Sequence, residues 1–439
     1  MNIYLFQIKK LSIKFNCQEC NLLSSKNFLP LFITQFCGAF NDNLFKLSIL
    51  TLISYQLSTS QVQSEHYQLI ANFLYIVPFF LFSAIAGQLS DRYDKALIIQ
   101  IIKCCELILM IFGIIAIVQH SIFLMFIVLT GMGLHSTFFS PVKYAILPDL
   151  LRRKDLLSAT ALIESSTFFA ILFGNIVGAV ANGHNMDHFI LGGFMLSFIA
   201  IFGLSSSLFI PKILPQVDNV CDLHIWRVTK NMLLNVIHDR IMLIDVLLIA
   251  WNWLMGSVLL TKLPDYIHYI LQASPAVFAL FLTLLAIGIM LGSLTISHIL
   301  NGRIVLRYVP LAMLLTSVVL LDLYFATKAI PLSLKLISFH DFLFSLKYFH
   351  VLCDFLILSF SSGLYIVPLY TYLQANADPK KRSQVIATNN IITAFGMILG
   401  SVMIGVMLKL NISIMHVFLL LSLMNIIIAI SCVKQLKQH

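Results

Sequence analysis

Long apolar stretches recur along the chain from Phe28 almost to its C-terminus. A helix of about 20 apolar residues, rising 1.5 Å per residue, crosses the roughly 30 Å hydrocarbon core of a bilayer. The pattern therefore predicts twelve membrane-spanning helices. They are placed at residues 28–57, 66–90, 96–118, 121–141, 158–182, 188–210, 241–262, 275–300, 305–328, 341–372, 383–409 and 412–433.

The composition agrees with this pattern. Apolar residues make up 59% of the chain and charged residues 11%, and the mean hydropathy is +0.93. A soluble fold needs more polar residues to cover its surface. The predicted fold class is therefore an all-α membrane protein, with twelve transmembrane helices in two six-helix bundles.

The distribution of positive charge predicts the orientation. A net charge of +9 could indicate a nucleic-acid partner. In an arrangement of twelve spans that starts in the cytoplasm, however, most Lys and Arg residues fall on the cytoplasmic side. The opposite side receives only Lys262, Lys328, Lys335, Lys347 and Lys409. This is the positive-inside rule, and it predicts two cytoplasmic termini and no nucleic-acid partner.

The chain divides into four predicted segments. Residues 1–27 form a basic cytoplasmic N-terminal arm, 28–210 a first six-helix bundle, 211–240 a cytoplasmic linker and 241–439 a second six-helix bundle. The two bundles share a faint repeat, which is a property of some transporter architectures. Its matching positions are Gly133 and Gly363, Tyr144 and Tyr370, and Ala159-Thr160 and Ala387-Thr388.

Enzyme chemistry has little support in the sequence. The 13 histidines show no HExxH-like spacing. Cys17 and Cys20 form a lone CxxC without the two further ligands that a zinc site needs. We expect no disulfides, because the cysteines fall in cytoplasmic segments or within spans. The sequence predicts no catalytic residue, no cofactor and no metal.

The first predicted span carries a polar cluster of Asn41, Asp42, Asn43 and Lys46. Ionised groups in the bilayer core cost about 2.5–3.5 kcal/mol on insertion scales unless they meet partners or water. One interpretation is that the cluster lines a hydrated cavity and binds a charged substrate group. The other is that Asp42 and Lys46, one helical turn apart, form an ion pair that latches this helix to the second half.

A charged motif follows the second predicted span. It runs from Gly87 to Lys95 and contains Asp91, Arg92 and Asp94. Gly87 permits a close helix approach, and the two acids can cap the N-terminus of the next helix. The motif is either a gate or an ordinary charged loop.

The fourth predicted span ends in an aromatic segment with a lysine. Pro141 is expected to open the helix, and Lys143 beside Tyr144 could pair with a phosphate or could be a snorkelling interfacial lysine. Other charged residues fall within spans and have no assigned role. They are Lys103 with Glu106, and Glu164, Asp245, Asp322 and Asp354.

Together these motifs resemble the major facilitator superfamily, and within it the lysophospholipid transporter branch. The segment Gly87 to Lys95 is similar to the superfamily signature G-x-x-x-D-R-x-G-R, with Asp94 in place of the glycine. The segments Gly38 to Lys46 and Phe138 to Pro148, and Ala387 to Asn390 in the second half, carry the likeness to the branch. The resemblance implies that Gly87, Asp91, Arg92 and Lys95, with Asp94 between them, gate the cytoplasmic side.

The resemblance also implies a function. It implies movement of lysophospholipid, chiefly lysophosphatidylethanolamine, to the cytoplasmic leaflet of a bacterial inner membrane for reacylation, with a functional link to a lysolipid acyltransferase. We expect a monomer surrounded by membrane lipids. Asp42 is expected to meet the substrate amine, and Lys46 or Lys143 its phosphate. An exporter of amphipathic cations is the alternative, for which Asp42 and Glu164 would suffice.

Overall fold

The computed structural model describes residues 18–180, 186–213, 222, 224–328, 337–410 and 412–436. Within them the chain is helical, and twelve helices have 20 residues or more. This confirms the predicted fold class. In chain order they are α1 Leu29–Leu52, α2 Gln61–Arg92, α3 Lys95–Val118, α4 Ile122–Ala145, α5 Leu156–Val180, α6 Met186–Ser207, α7 Arg240–Asp265, α8 Pro275–Leu300, α9 Val309–Lys328, α10 Leu346–Asn376, α11 Arg382–Lys409 and α12 Ile414–Leu436.

Ten of these helices are long and apolar enough to cross a membrane within the described residues. The other two are α1 and α6. The polar cluster of Asn41, Asp42, Asn43 and Lys46 lowers the mean hydropathy of α1, although its 24 residues suffice in length. In α6, the apolar stretch among the described residues is the shorter segment Gly192–Ser207. Length and packing place both helices with the other ten.

Local sequence explains where several helices begin. Asp94 accepts a hydrogen bond from the Ala96 N–H (2.9 Å) and caps α3, and Asp239 caps α7 through the N–H groups of Ile241 and Met242. Such caps satisfy N–H groups that have no partner within the helix. The expectation that Pro141 opens α4 is wrong, because the helix continues to Ala145. In membrane proteins, neighbouring helices and polar side chains can satisfy the carbonyl that a proline leaves free.

The first six helices pack mainly on one another, and so do the last six. The two sets meet where α2 crosses α11 and where α5 crosses α8. Equivalent glycines permit close contacts within each set. A Cβ atom on Gly133 would lie 2.3 Å from the Tyr75 carbonyl oxygen of α2, and one on Gly363 would lie 2.4 Å from the Ile289 carbonyl oxygen of α8. Gly133 and Gly363 are one of the matching pairs of the predicted repeat.

The segment between the two sets contains a helix, Ile225–His238, which packs on α2 and α11. It is anchored at its start, where the Asp222 N–H donates to Gln88 Oε1 (3.0 Å). Arg227 forms a salt bridge to Asp222 (2.6 Å), and its hydrogen bonds lower the pKa of Asp222 to about 2. This helix therefore covers the seam between the two sets at one end of the molecule.

We call the end of the molecule that carries the α2–α3 loop the gate end. The short helix Gln18–Leu23 also lies there, because Gln18 donates to Asp155 (2.8 Å) and Glu19 accepts from Ser297 (2.9 Å). Residues 1–17, most of the predicted N-terminal arm and Cys17 among them, lie outside the described residues.

Candidate functional site

A cavity of about 380 Å³ lies between the two sets of helices, within the range of small-ligand sites. Side chains from α1, α2, α4 and α5 form one wall, and side chains from α7, α10 and α11 form the other. Its polar lining residues include Gln35, Asp42, Asn43, Tyr75, His135, Ser136, Ser140, Lys143, Tyr144, Glu164, Thr167, Tyr370, Asn390 and Thr393. The remaining lining residues are mostly aromatic or aliphatic.

The structure divides the polar cluster of α1. Asp42 and Asn43 line the cavity. Asn41 is buried on another face, where its Nδ2 donates to Glu106 (3.1 Å) and to the Leu196 carbonyl (3.3 Å). Lys46 does not line the cavity. Successive helical residues are about 100° apart around the axis, so four polar residues close in sequence cannot all share one face.

Asp42 is held by hydroxyl groups. Its Oδ2 accepts from Ser136 Oγ of α4 (2.6 Å) and from the Tyr75 hydroxyl of α2 (3.5 Å). Its Oδ1 has no hydrogen-bond partner among the described residues. Lys46 forms no salt bridge to Asp42 there; its ammonium instead lies 5.1 Å from the centroid of the Tyr75 ring. The partners of both residues thus belong to the first set of helices, and one carboxylate oxygen is left to accept a further donor.

A second charged group is buried behind Asp42. Lys103 and Glu106 of α3 form a salt bridge of 2.5 Å, and His135 Nε2 of α4 lies 3.1 Å from Glu106 Oε2. Lys103 is completely buried. Removing one partner from such a group leaves an uncompensated buried charge. The sequence showed Lys103 and Glu106 as neighbours but missed His135, whose position as an ionisable residue inside a span was the available signal.

Lys143 lies on the same wall of the cavity, two turns beyond Ser136. Its ammonium is 4.6 Å from the centroid of the Tyr144 ring, and it forms no salt bridge among the described residues. An ammonium in an apolar, buried setting without a paired anion is poorly compensated. Lys143 is therefore suited to receive an anion from a ligand.

A layer of aromatic and polar side chains crosses the cavity beside Lys143. The ring of Tyr144 stacks on that of Tyr370 from α10, with centroids 4.8 Å apart. The Tyr144 hydroxyl donates to Glu164, and Trp253 Nε1 donates to the Tyr370 hydroxyl (3.2 Å). This layer joins both sets of helices. The predicted repeat matches Tyr144 with Tyr370, but it does not predict that their rings are in contact.

Asp91 of the charged motif binds the other set of helices. Its carboxylate accepts from the backbone N–H groups of Ser383 (2.8 Å) and Gln384 (3.2 Å) and from Gln384 Nε2 (3.2 Å). These groups form the first turn of α11. Asp91 was expected to cap the next helix in sequence, α3, and instead caps a helix of the other set. An acid at this place meets both unsatisfied N–H groups and the positive end of the helix dipole.

The rest of the motif surrounds this contact. Lys95 forms a salt bridge to Asp149 (2.9 Å), which also binds Arg382 of α11 (2.8 Å). Gly87 lies against α11, since a Cβ atom there would be 2.8 Å from the Cβ of Ala387.

Arg92 and Asp94 form no hydrogen bond or salt bridge to the second set among the described residues. Arg92 lies over the ring of Tyr93, 5.4 Å from its centroid. Asp94 caps α3 and also accepts from the Ile213 N–H (3.1 Å).

Hydrogen bonds between the two sets are concentrated at one end. They include Asn390 to Ser140 (2.9 Å) at the cavity, and Ser158 with Ser297 (2.8 Å) closer to the gate end. Beyond the cavity, toward the opposite end, the described residues form none. The cavity is thus sealed toward the gate end by the Tyr144–Tyr370 layer and by the Asp91 contacts.

Comparisons with known proteins agree with this architecture. The sequence model described as "Major Facilitator Superfamily" matches residues 31–401. Curated relatives include proteins named "Lysophospholipid transporter LplT" from Salmonella typhimurium and Salmonella newport, each 26% identical over 193 residues. These alignments cover 43% of this chain and 44% of each relative, so the match spans less than half of either protein.

Solved structures show the same fold. The human organic anion transporter MFSD10 (TETRAN) superposes with a TM-score of 0.71 at 14% identity, covering 92% of this chain and 99% of that one. A bacterial homologue of the iron transporter ferroportin, in an outward-facing state, gives 0.67 at 12% identity, covering 92% and 98%. The proton:xylose symporter XylE gives 0.69 at 11% identity, covering 94% and 95%.

Proposed function

The chain belongs to the Major Facilitator Superfamily, and from this premise we propose that it moves lysophospholipid across a bacterial inner membrane to the cytoplasmic leaflet. As a member of that superfamily it is a multi-pass membrane transporter and not an enzyme. One largely apolar cavity combines the carboxylate of Asp42 with the ammonium of Lys143, which forms no salt bridge among the described residues. This combination is the observation that carries the proposed substrate. A lysophosphatidylethanolamine head group presents the complementary phosphate and amine.

Lys143 is the phosphate-binding residue in this proposal. It lines the cavity without a salt bridge among the described residues, whereas Lys46 is outside the lining. A lysine ammonium is a point charge that binds phosphate well, and desolvation in the cavity strengthens the attraction. Of the two lysines expected from the sequence, the geometry favours Lys143.

Asp42 is the amine-binding residue. Ser136 and Tyr75 fix one of its oxygens, and the other has no partner among the described residues. Ser136 and Lys143 are seven residues apart on α4, which corresponds to about 10 Å along a helix. Helical side chains lean toward the N-terminus of their helix, so the Lys143 side chain extends back toward Asp42. The two charges can then bind opposite ends of one zwitterionic head group.

The acyl chain requires an apolar path beside the head group. Phe79, Phe139, Phe168, Ile171 and Met397 supply apolar lining on both sides of the cavity. In the proposed complex the chain lies along these residues and extends between helices toward lipid. Burial stabilises each methylene by about 0.8 kcal/mol relative to water, but the acyl chain enters from lipid and not from water. The head-group contacts therefore provide the selectivity.

Transport proceeds by alternating access of the two six-helix bundles, residues 28–210 and 241–439, joined by the linker 211–240. The gate end is cytoplasmic in this proposal, in accordance with the positive-inside distribution of Lys and Arg, and both termini lie there. The sealed gate end then corresponds to an outward-facing state that receives lysolipid from the outer leaflet. Gly87, Asp91 and Lys95 hold that state closed toward the cytoplasm, while Asp94 orders the adjoining loop and Arg92 remains at its surface. The delivered lysolipid is reacylated by a lysolipid acyltransferase, and the transporter acts as a monomer.

Uptake of labelled lysophosphatidylethanolamine into proteoliposomes containing the full chain tests the proposal. Lys143→Gln is expected to lower the initial rate at least tenfold, because the phosphate loses its counter-charge. Lys46→Gln is the matched control, a lysine of the same half outside the cavity lining, and should retain most of the rate. Equal rates for wild type and Lys143→Gln, with thermal unfolding unchanged, would refute the assignment.

An exporter of amphipathic cations is the second candidate. Two acids, Asp42 and Glu164, line the cavity, and they would bind a cation without any help from Lys143. This function predicts that Lys143→Gln leaves cation export intact and that lysolipid does not compete with the exported cation. Competition by lysolipid that is abolished by Lys143→Gln favours the first proposal.

A further inference from the structure

A group of potential metal ligands lies in the second set of helices, at the end opposite the gate. Asp322 is on α9, and His350 and Asp354 are one turn apart near the start of α10. His350 Nε2 is 2.8 Å from Asp322 Oδ2 and 3.7 Å from Asp354 Oδ2, and one ligand atom from each residue lies within 4.8 Å of the others. Two carboxylates and an imidazole from two helices thus converge on one point.

The burial of Asp354 distinguishes this group from an ordinary acidic surface. The residue is 4% exposed, and its Oδ2 is buried without a hydrogen-bond partner among the described residues. That oxygen lies 3.7 Å from His350 Nε2. A buried carboxylate oxygen without a partner is costly, and pairing or metal coordination is the usual compensation. The other two ligands are about half exposed at the surface of the helix bundle, so the protein leaves the site open on that side.

We propose that Asp322, His350 and Asp354 bind one divalent cation, with Zn²⁺ as the preferred ion. Zinc sites use imidazole nitrogen and carboxylate oxygen at about 2.0–2.2 Å, which places ligand atoms roughly 3.3–3.6 Å apart in a tetrahedron. The distances from His350 Nε2 to Asp322 Oδ2 and to Asp354 Oδ2, 2.8 and 3.7 Å, lie on either side of that range. Small side-chain rotations therefore create the site, and the ion replaces the hydrogen bond between His350 and Asp322.

The cation would join α9 to α10 and is separate from the transport cavity, whose lining contains none of the three ligands. With only three protein ligands, a fourth position remains for water. The site therefore stabilises the outer end of the second half and takes no direct part in substrate binding.

Isothermal titration of the full chain with Zn²⁺, after chelator treatment, tests the proposal. Wild type should bind one equivalent that His350→Gln and Asp322→Asn each weaken at least tenfold. His340→Gln is the matched control, because His340 and Asp341 form a similar pair (3.8 Å), are both exposed and have no third ligand among the residues that the structure describes. The control should bind like wild type. Since both test positions are partly exposed, neither variant depends on tolerance of a change in the core.

Co²⁺ absorption identifies the ligands independently. Bound Co²⁺ should give visible ligand-field bands without thiolate charge-transfer bands, and the bands should be lost in His350→Gln. Three results would overturn the proposal: no stoichiometric Zn²⁺ binding by wild type, equal binding by wild type and both variants, or a Co²⁺ spectrum dominated by thiolate ligands.

Discussion

Asp91→Asn is expected to open the gate end. The native carboxylate accepts three hydrogen bonds from the first turn of α11 and is 4% exposed. Asparagine keeps one acceptor oxygen, loses the charge and places an NH₂ group toward the N–H groups of Ser383 and Gln384. The interaction of a partly buried acid with a helix N-terminus contributes up to about 2 kcal/mol. Each hydrogen bond to a charged group contributes about 1.5–3 kcal/mol.

This substitution should therefore destabilise the closed state relative to the open state by about 2–4 kcal/mol. Each 1.4 kcal/mol changes an equilibrium tenfold. The ratio of gate-open to gate-closed molecules should rise roughly 30- to 1,000-fold. A closed state that is favoured by 99 to 1 would then fall to between about three quarters and about one tenth of the molecules. This is a change in conformation and not in the amount of folded protein.

Distances between spin labels at Arg152 and Lys380, both exposed at the gate end, measure this change in a background without the eight native cysteines. A longer distance should appear in Asp91→Asn. Asp94→Asn is the matched control, because Asp94 caps α3 and forms no hydrogen bond to the second set in the described part of the chain. An unchanged distance distribution in Asp91→Asn, or the same change in both variants, would refute the role assigned to Asp91.

Two further substitutions test a second contact at the gate end and the buried ion pair of α3. Gly87→Ala should also favour the open gate, because its Cβ would lie 3.0 Å from the Gln384 Cα and the Ser383 carbonyl oxygen. Gly405→Ala is the control, since no atom of the described residues lies within 4 Å of the Cβ that it adds. Identical label distances in the two variants would contradict the reasoning. Lys103→Met should destabilise the fold by about 3–5 kcal/mol, since it leaves the buried Glu106 without its ammonium partner. Thermal unfolding measures this loss, and the double variant Lys103→Met/Glu106→Gln should recover much of it; no recovery would contradict a charge-based cause.

The sequence predicted the helices well because the bilayer sets their length. All twelve long helices begin within five residues of the start of a predicted span, and α8 matches at both ends. The error at Pro141 arose because a local rule for water-soluble helices was applied where the membrane and neighbouring helices alter the outcome. Orientation remains a prediction that rests on the distribution of charge.

The candidate site was less predictable because it depends on contacts between distant residues. Helical geometry alone separates Asn41 from Asp42, but only packing shows that Asn41 meets Glu106 and Asp42 meets Ser136. The contact of Asp91 with Ser383 joins residues 292 positions apart. No spacing rule within one helix could identify either partner.

Uptake of two lysolipids that differ only in the head group tests the central claim most directly. The initial rates for lysophosphatidylethanolamine and lysophosphatidylglycerol are compared in wild type and Asp42→Asn, in proteoliposomes containing equal amounts of protein. If Asp42 binds the amine, Asp42→Asn should reduce the rate for the ethanolamine lipid at least tenfold and the rate for the glycerol lipid, which has no amine, much less. Equal losses for both lipids, or no loss for either, would contradict the account.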